Sequence, residues 1–163
     1  MPTTRQSLVA QLGGAMQAYQ RSTQAFDDQV GRRLGLNPTD LRCLDWLVDQ
    51  DRSARELAEA TGLSSAATTA MIDRLEARGF VRRTRGDADR RKVIVSMTPE
   101  GRARTNEFYL PLVMEGMDIL DRLTVAELRS MVTHLVAIRD LTDRHRRQLA
   151  EPGSPSGPTP GRS

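Results

Sequence analysis

The sequence predicts a mainly α-helical fold with one small β-hairpin wing, arranged as a winged helix-turn-helix with further helices at both ends. Three observations carry this reading. Apolar residues recur at helical spacing along most of the chain, between capping residues. Two helical stretches meet at a break containing Gly62. Directly after them, two strand-like runs flank a charged tip, Gly86–Lys92, that holds no large apolar group.

Residues 6–34 read as one long helix, with Leu8, Leu12, Met16, Tyr19, Phe26, Val30 and Leu34 near helical spacing, and with Gly13–Gly14 as a weak point where it can kink. Asn37 then caps a helix with Pro38 at its first position, and Leu41, Leu44, Leu47 and Val48 form its apolar face. Ser53 and Glu56 have capping-box spacing before Leu57, Ala58 and Ala60. Gly62 ends that helix, and Leu63–Ser64 opens another that runs to about Arg78, with Gly79 as its left-handed stop. Phe80–Arg85 and Val93–Met97 make the hairpin. Thr98–Pro99 starts a helix to about Arg122, and Thr124 with Glu127 caps a last one to about Leu149. Residues 150–163 close the chain as a Pro/Gly/Ser-rich stretch, nearly devoid of apolar groups, that reads as a disordered tail.

Composition narrows the function. At 163 residues the chain can form one domain with a real core, and few aromatics mean a core of Leu, Val, Ile, Ala and Met. Lys92 is the sole lysine; every other basic residue counted in the net charge of +3 is arginine, which binds phosphate and guanine edges bidentately. Cys43 is the only cysteine, and the two histidines, His134 and His145, bring no ligand set with zinc spacing, so neither an internal disulfide nor a metal or other cofactor is expected. No apolar run approaches a membrane span and the N-terminus lacks a signal-peptide core, so the reading is a cytoplasmic protein without a membrane partner.

In a helix-turn-helix the second helix enters the major groove of DNA. Here Thr68, Met71, Ile72 and Leu75 form the stripe expected to pack on Leu44, Leu57 and Val81. The opposite face, Ser65, Ala66, Thr69, Ala70 and Asp73, is small and polar, which lets the helix sit deep in the groove. Ser64 and Ser65 at the helix N-terminus suit phosphate contacts, although Ser64 is equally an N-cap; Arg74 and Arg78 further along are candidate phosphate contacts. A wing beside such a helix projects toward the minor groove, whose negative potential attracts Arg90 and Arg91, with Asp89 able to orient a guanidinium. Residues 64–97 carry eight Lys/Arg against four Asp/Glu, a local charge of +4 that leaves about −1 for the remainder. The positive charge is concentrated on the proposed DNA face.

The run from Leu63 to Gly101, with its Leu-Ser, Asp-Arg-Leu-Glu-x-Arg-Gly, Asp-x-Asp-Arg-Arg and Thr-x-x-Gly elements, resembles the MarR family of bacterial transcription regulators, and the likeness extends to about residue 149. The resemblance implies a winged-helix domain over residues 37–98 and a dimerisation region made from residues 1–36 and 99–149. It implies a homodimer on a palindromic operator, more commonly a repressor, with Arg91 entering the minor groove, Asp89 bracing it and Asp73 joining that network. Many members carry Pro where this chain has Ala66 and Arg where it has Ala70. Base reading here would then rest on Ser65 and Thr69, with Ala66 and Ala70 against thymine methyls.

Apolar clusters at the two ends, Leu8, Val9 and Leu12 and then Phe108 to Leu141, exceed what one small winged domain can cover, which also points to a dimer. The resemblance further implies a small aromatic or anionic effector that releases DNA; Tyr19, Phe26, Trp46 and Tyr109, with Met114 and Met117, are candidates to line its pocket, although each is more often plain core. Cys43, beside Leu44 and without a neighbouring base, reads as structural filling rather than a peroxide sensor. Two rival classes fare worse. A winged helix that binds protein would show an apolar or acidic face. A DNA-repair alkyltransferase would need an activated cysteine beside a histidine, and both histidines lie in the last helix.

Overall fold

The computed structural model describes residues 4–85 and 93–150. Helix α1 (Arg5–Leu34) begins at Thr4, whose side chain accepts a hydrogen bond from the Ser7 amide, and runs through Gly13–Gly14 to a left-handed Gly35. Helix α2 (Pro38–Trp46) opens on a complete capping box in which the Asn37 side chain accepts from the Asp40 amide and Asp40 accepts from the Asn37 amide. Helix α3 (Ala54–Thr61) opens on the Ser53–Glu56 box and stops at Gly62 in the left-handed region. Helix α4 (Ser65–Ala77) is capped by Ser64, and the chain leaves it through Gly79 at φ +75°, as the glycine's placement predicts. Helix α5 (Pro99–Leu120) and helix α6 (Val125–Ala150) complete the order.

The strands depart from expectation in one respect. The hairpin of β2 (Val81–Arg85) and β3 (Val93–Met97) pairs in register from Val81 opposite Met97 to Arg85 opposite Val93. A third strand, β1 (Arg52–Ser53), adds to its other edge, with Arg52 opposite Val95 and Ser53 opposite Ile94, so the order is β1-β3-β2. Sequence reasoning missed β1 because two residues show no alternation, and because Ser53 is already the N-cap of α3. The apolar face of α2 is also shorter than expected. The helix ends at Trp46, Leu47 turns inward at its C-cap, and Val48 stays 47% exposed.

The core joins α1 to α4 with the hairpin strands. Phe80 is its largest wholly buried side chain, surrounded in one cluster by Leu44, Leu57, Met71, Ile72, Leu75, Val81 and Val95. Burying each such residue contributes about 1.5–3 kcal/mol, so this cluster sets how α4 and the sheet sit on α2 and α3. Thr98 fastens α5 beneath it: its hydroxyl donates to the Gly79 carbonyl at 2.6 Å and accepts from the Gly101 amide at 2.9 Å.

The chain divides into two compact units at Pro111–Leu112. In the first, Leu8, Val9 and Leu12 of α1 lie more than half exposed. In the second, Val113, Met114, Met117, Ile119, Val132 and Leu135 are likewise more than half exposed. The tail proposed for residues 150–163 lies, from residue 151, outside the described residues.

Candidate nucleic-acid interface

Helix α4 has three distinct faces. Thr68, Met71, Ile72 and Leu75 are at most 1% exposed and fix the helix against the core. Ser65, Ala66, Thr69, Ala70 and Asp73 are all exposed on the other side, in the arrangement that the sequence suggested. Ser64 accepts from the Ala67 amide at 3.3 Å, so it is an N-cap. Its exposed position also leaves it at the positive end of the helix dipole, where phosphates bind. Thr69 donates its hydroxyl to the Ser65 carbonyl at 3.0 Å, which holds the side chain along the helix and leaves its oxygen free to accept a further bond.

A third strip of α4 carries two arginines that have partners within the fold. Arg74, expected at a phosphate, pairs with Asp40 of α2: Nη2 donates to Oδ1 at 2.5 Å and Nε to Oδ2 at 3.3 Å. The Asp40 side chain is 2% exposed. Its hydrogen bond and negative charge hold the Arg74 guanidinium above its ordinary pKa against a smaller opposing effect of burial. Arg78 donates to the carbonyls of Leu34, at 2.6 Å, and Gly35.

Asp73 has a partner of its own on the hairpin. Its carboxylate accepts from Arg83 of β2 at 2.5 Å, and Arg83 bonds Glu76 as well, through both its side chain and its backbone amide, the latter at 3.0 Å. Burial opposes the Arg83 charge, but these two carboxylates outweigh it and hold its pKa above the ordinary value. The strand that leads into the wing is therefore stapled to α4. Asp89, Arg90 and Arg91 lie outside the described residues.

Phe26 and Tyr109 meet edge to face, with ring centroids 5.5 Å apart, and the Tyr109 hydroxyl donates to Asp27 at 2.8 Å. Burial, then this bond, then the charges of Asp27 and Asp45 push the Tyr109 pKa up. Trp46 instead lies under Arg52, whose guanidinium carbon is 4.9 Å from its ring centroid. Tyr19 is 72% exposed, and Met114 and Met117 belong to the second unit. Cys43 is fully buried, which together with the charge of Asp40 pushes its thiol up to about 12. Among the described residues no group of three or more His, Cys, Asp or Glu could hold a metal ion.

Comparison with known proteins agrees with this geometry. Residues 34–92, which span α2 to the wing, match the model of the MarR family. The chain is 31% identical over 130 residues to the uncharacterized HTH-type transcriptional regulator YcgE of Bacillus subtilis, covering 79% of this chain and 84% of that one. The chain belongs to the MarR family. Among solved structures, BldR of Sulfolobus solfataricus is similar at 32% identity and TM-score 0.52, over 82% of this chain and 98% of that one. BpsR of Bordetella bronchiseptica, whose DNA binding is regulated by 6-hydroxynicotinic acid, is similar at 30% identity and TM-score 0.50, over 86% of this chain and 99% of that one. The protein is thus a MarR-family helix-turn-helix transcription regulator rather than an enzyme, and DNA is the ligand its family binds. No helix among the described residues is long and apolar enough to cross a membrane.

Proposed function

We propose that the protein is a cytoplasmic homodimeric repressor that binds a palindromic operator and is released by a small aromatic or anionic effector. Ser65, Ala66, Thr69 and Ala70 read base edges in the major groove, Ser64 contacts the backbone, and Arg90 and Arg91 reach the minor groove with Asp89 orienting them. Residues 37–98 bind DNA, and residues 1–36 with 99–149 form the dimer. The observation that carries this reading is the contrast on α4: one face wholly buried, the opposite one small, polar and exposed at its N-terminal half. The dimer is supported by the exposed Leu8, Val9 and Leu12 and by the exposed apolar residues of α5 and α6, since apolar surface of that extent marks an interaction site. The effector is supported by the likeness to BpsR.

Fluorescence anisotropy tests the proposal, using the DNA upstream of the protein's own gene against a shuffled duplex at two salt concentrations. The expected result is preference for the upstream DNA, steep loss of affinity with salt, and weakening by Arg91→Ala. Equal binding to both duplexes, unaffected by Arg91→Ala, would refute operator recognition at that site. Sedimentation velocity reads the dimer directly, and a monomer at micromolar concentration would exclude it.

A further inference from the structure

We propose that Arg74 and Arg78 are positioning residues, which fix the recognition helix on the α1–α2 corner and so set how that helix presents its reading face to DNA. The two lie one turn apart on α4, on a strip between the buried stripe and the exposed reading face. Both reach the same short segment, Leu34 to Asp40, where α1 turns into α2. Arg74 grips its far end through two bonds to Asp40. Arg78 grips its near end through the carbonyls of Leu34 and Gly35.

Each grip meets a physical need of the corner. Asp40 is almost completely buried, and one capping bond from the Asn37 amide does not neutralise a buried carboxylate; the Arg74 guanidinium supplies charge and two donors together. The last carbonyls of α1 lack partners within the helix and sit at the negative end of its dipole, and Arg78 answers both conditions. Arg78 is itself held, since its carbonyl accepts from Arg104 at 3.1 Å and its guanidinium lies 5.7 Å from the Phe80 ring centroid. At the corner Gly35 is left-handed, and a side chain there would meet Arg78 Nη2 at 3.0 Å.

The test separates positioning from phosphate contact. Intact Arg74→Gln, Asp40→Asn, the double variant and Arg78→Gln are compared with the parent protein, with folding checked by thermal unfolding. The DNA probes are a duplex enriched from a random pool by the parent protein and a shuffled duplex of the same length. Positioning predicts that each variant loses at least about fivefold in the ratio of enriched to shuffled affinity. It also predicts that Arg74→Gln and Asp40→Asn together lose little more than either alone, and that the salt slope on the shuffled duplex stays unchanged. A phosphate contact predicts the reverse: a slope lower by about 0.9 for each arginine, both duplexes weakened alike, and no effect of Asp40→Asn. That result overturns the proposal. If Asp40→Asn does not fold, Arg78→Gln decides alone, since it leaves the buried carboxylate paired. If no sequence is enriched, operator recognition fails as a separate matter, and the slope on the shuffled duplex still shows whether the two arginines touch phosphate.

Discussion

Two glycine substitutions of the same chemistry are expected to shift stability in opposite directions. Gly101 lies in the first turn of α5, where a Cβ would meet the backbone of Phe80: its carbonyl oxygen, its Cα at 2.7 Å and its carbonyl carbon at 2.9 Å. Carbon atoms settle about 3.5–4.0 Å apart, so α5 would have to withdraw by roughly 1 Å from the most deeply buried aromatic of the fold. Overpacking of this kind costs about 3 kcal/mol when the obstacle is backbone. Replacing a helical glycine by alanine returns about 1 kcal/mol, so the clash wins by about 2 kcal/mol. For a chain of this size, Gly101→Ala should lower Tm by about 4–8 °C. At Gly13 in α1 an added Cβ would meet nothing within 4 Å, so only the helix preference operates. Gly13→Ala should raise Tm by about 2–4 °C. Thermal unfolding followed by circular dichroism measures both. A Gly101→Ala protein that melts at or above the parent temperature would refute the packing argument.

The site supports further predictions. Thr69→Ala should change which bases are preferred at one position in each half-site, read by selection from a random duplex pool; lost affinity with an unaltered preference would contradict base reading by Thr69. Burial and the Asp40 charge push the Cys43 thiol up to about 12, so the thiolate is scarce at neutral pH and peroxide should leave DNA affinity unchanged. A loss of binding that a reductant restores would show otherwise. Asp45 has its pKa raised by burial first and then by the charges of Asp27 and Asp49. The folded state therefore holds this proton more tightly than the unfolded chain, and ionisation penalises the fold above the raised pKa. Asp45→Asn should raise Tm at neutral pH, with the gain shrinking as pH falls below that raised pKa and gone below the ordinary carboxylate range; a gain that persists in acid would have another cause.

Local signals account for most of what could be read from the sequence. The boxes at Ser53–Glu56 and Thr124–Glu127 close bonds across three residues, and Gly62 and Gly79 answer a local demand for positive φ. The stripe at Thr68, Met71, Ile72 and Leu75 follows from helical period alone. Partner choice across the fold was not legible. Arg74 and Asp40 are 34 residues apart and Arg78 and Leu34 are 44 apart, and an arginine on a helix looks the same in sequence whether it faces a phosphate or a buried carboxylate. Asp73 had several arginines within reach of a plausible pairing, and only the path of β2 selects Arg83. The contacts of the aromatic residues were hidden for a related reason: Tyr19 and Phe26 share a helix, yet only Phe26 turns toward Tyr109.

Methylation interference on an enriched duplex asks directly whether α4 reads DNA, because guanine N7 faces the major groove. If the exposed face of α4 lies there in a dimer, methylation should block binding in two clusters of guanines centred about 10 bp apart or a multiple of that spacing. Sequence-specific binding that no N7 methylation disturbs would show that α4 is not the reading element.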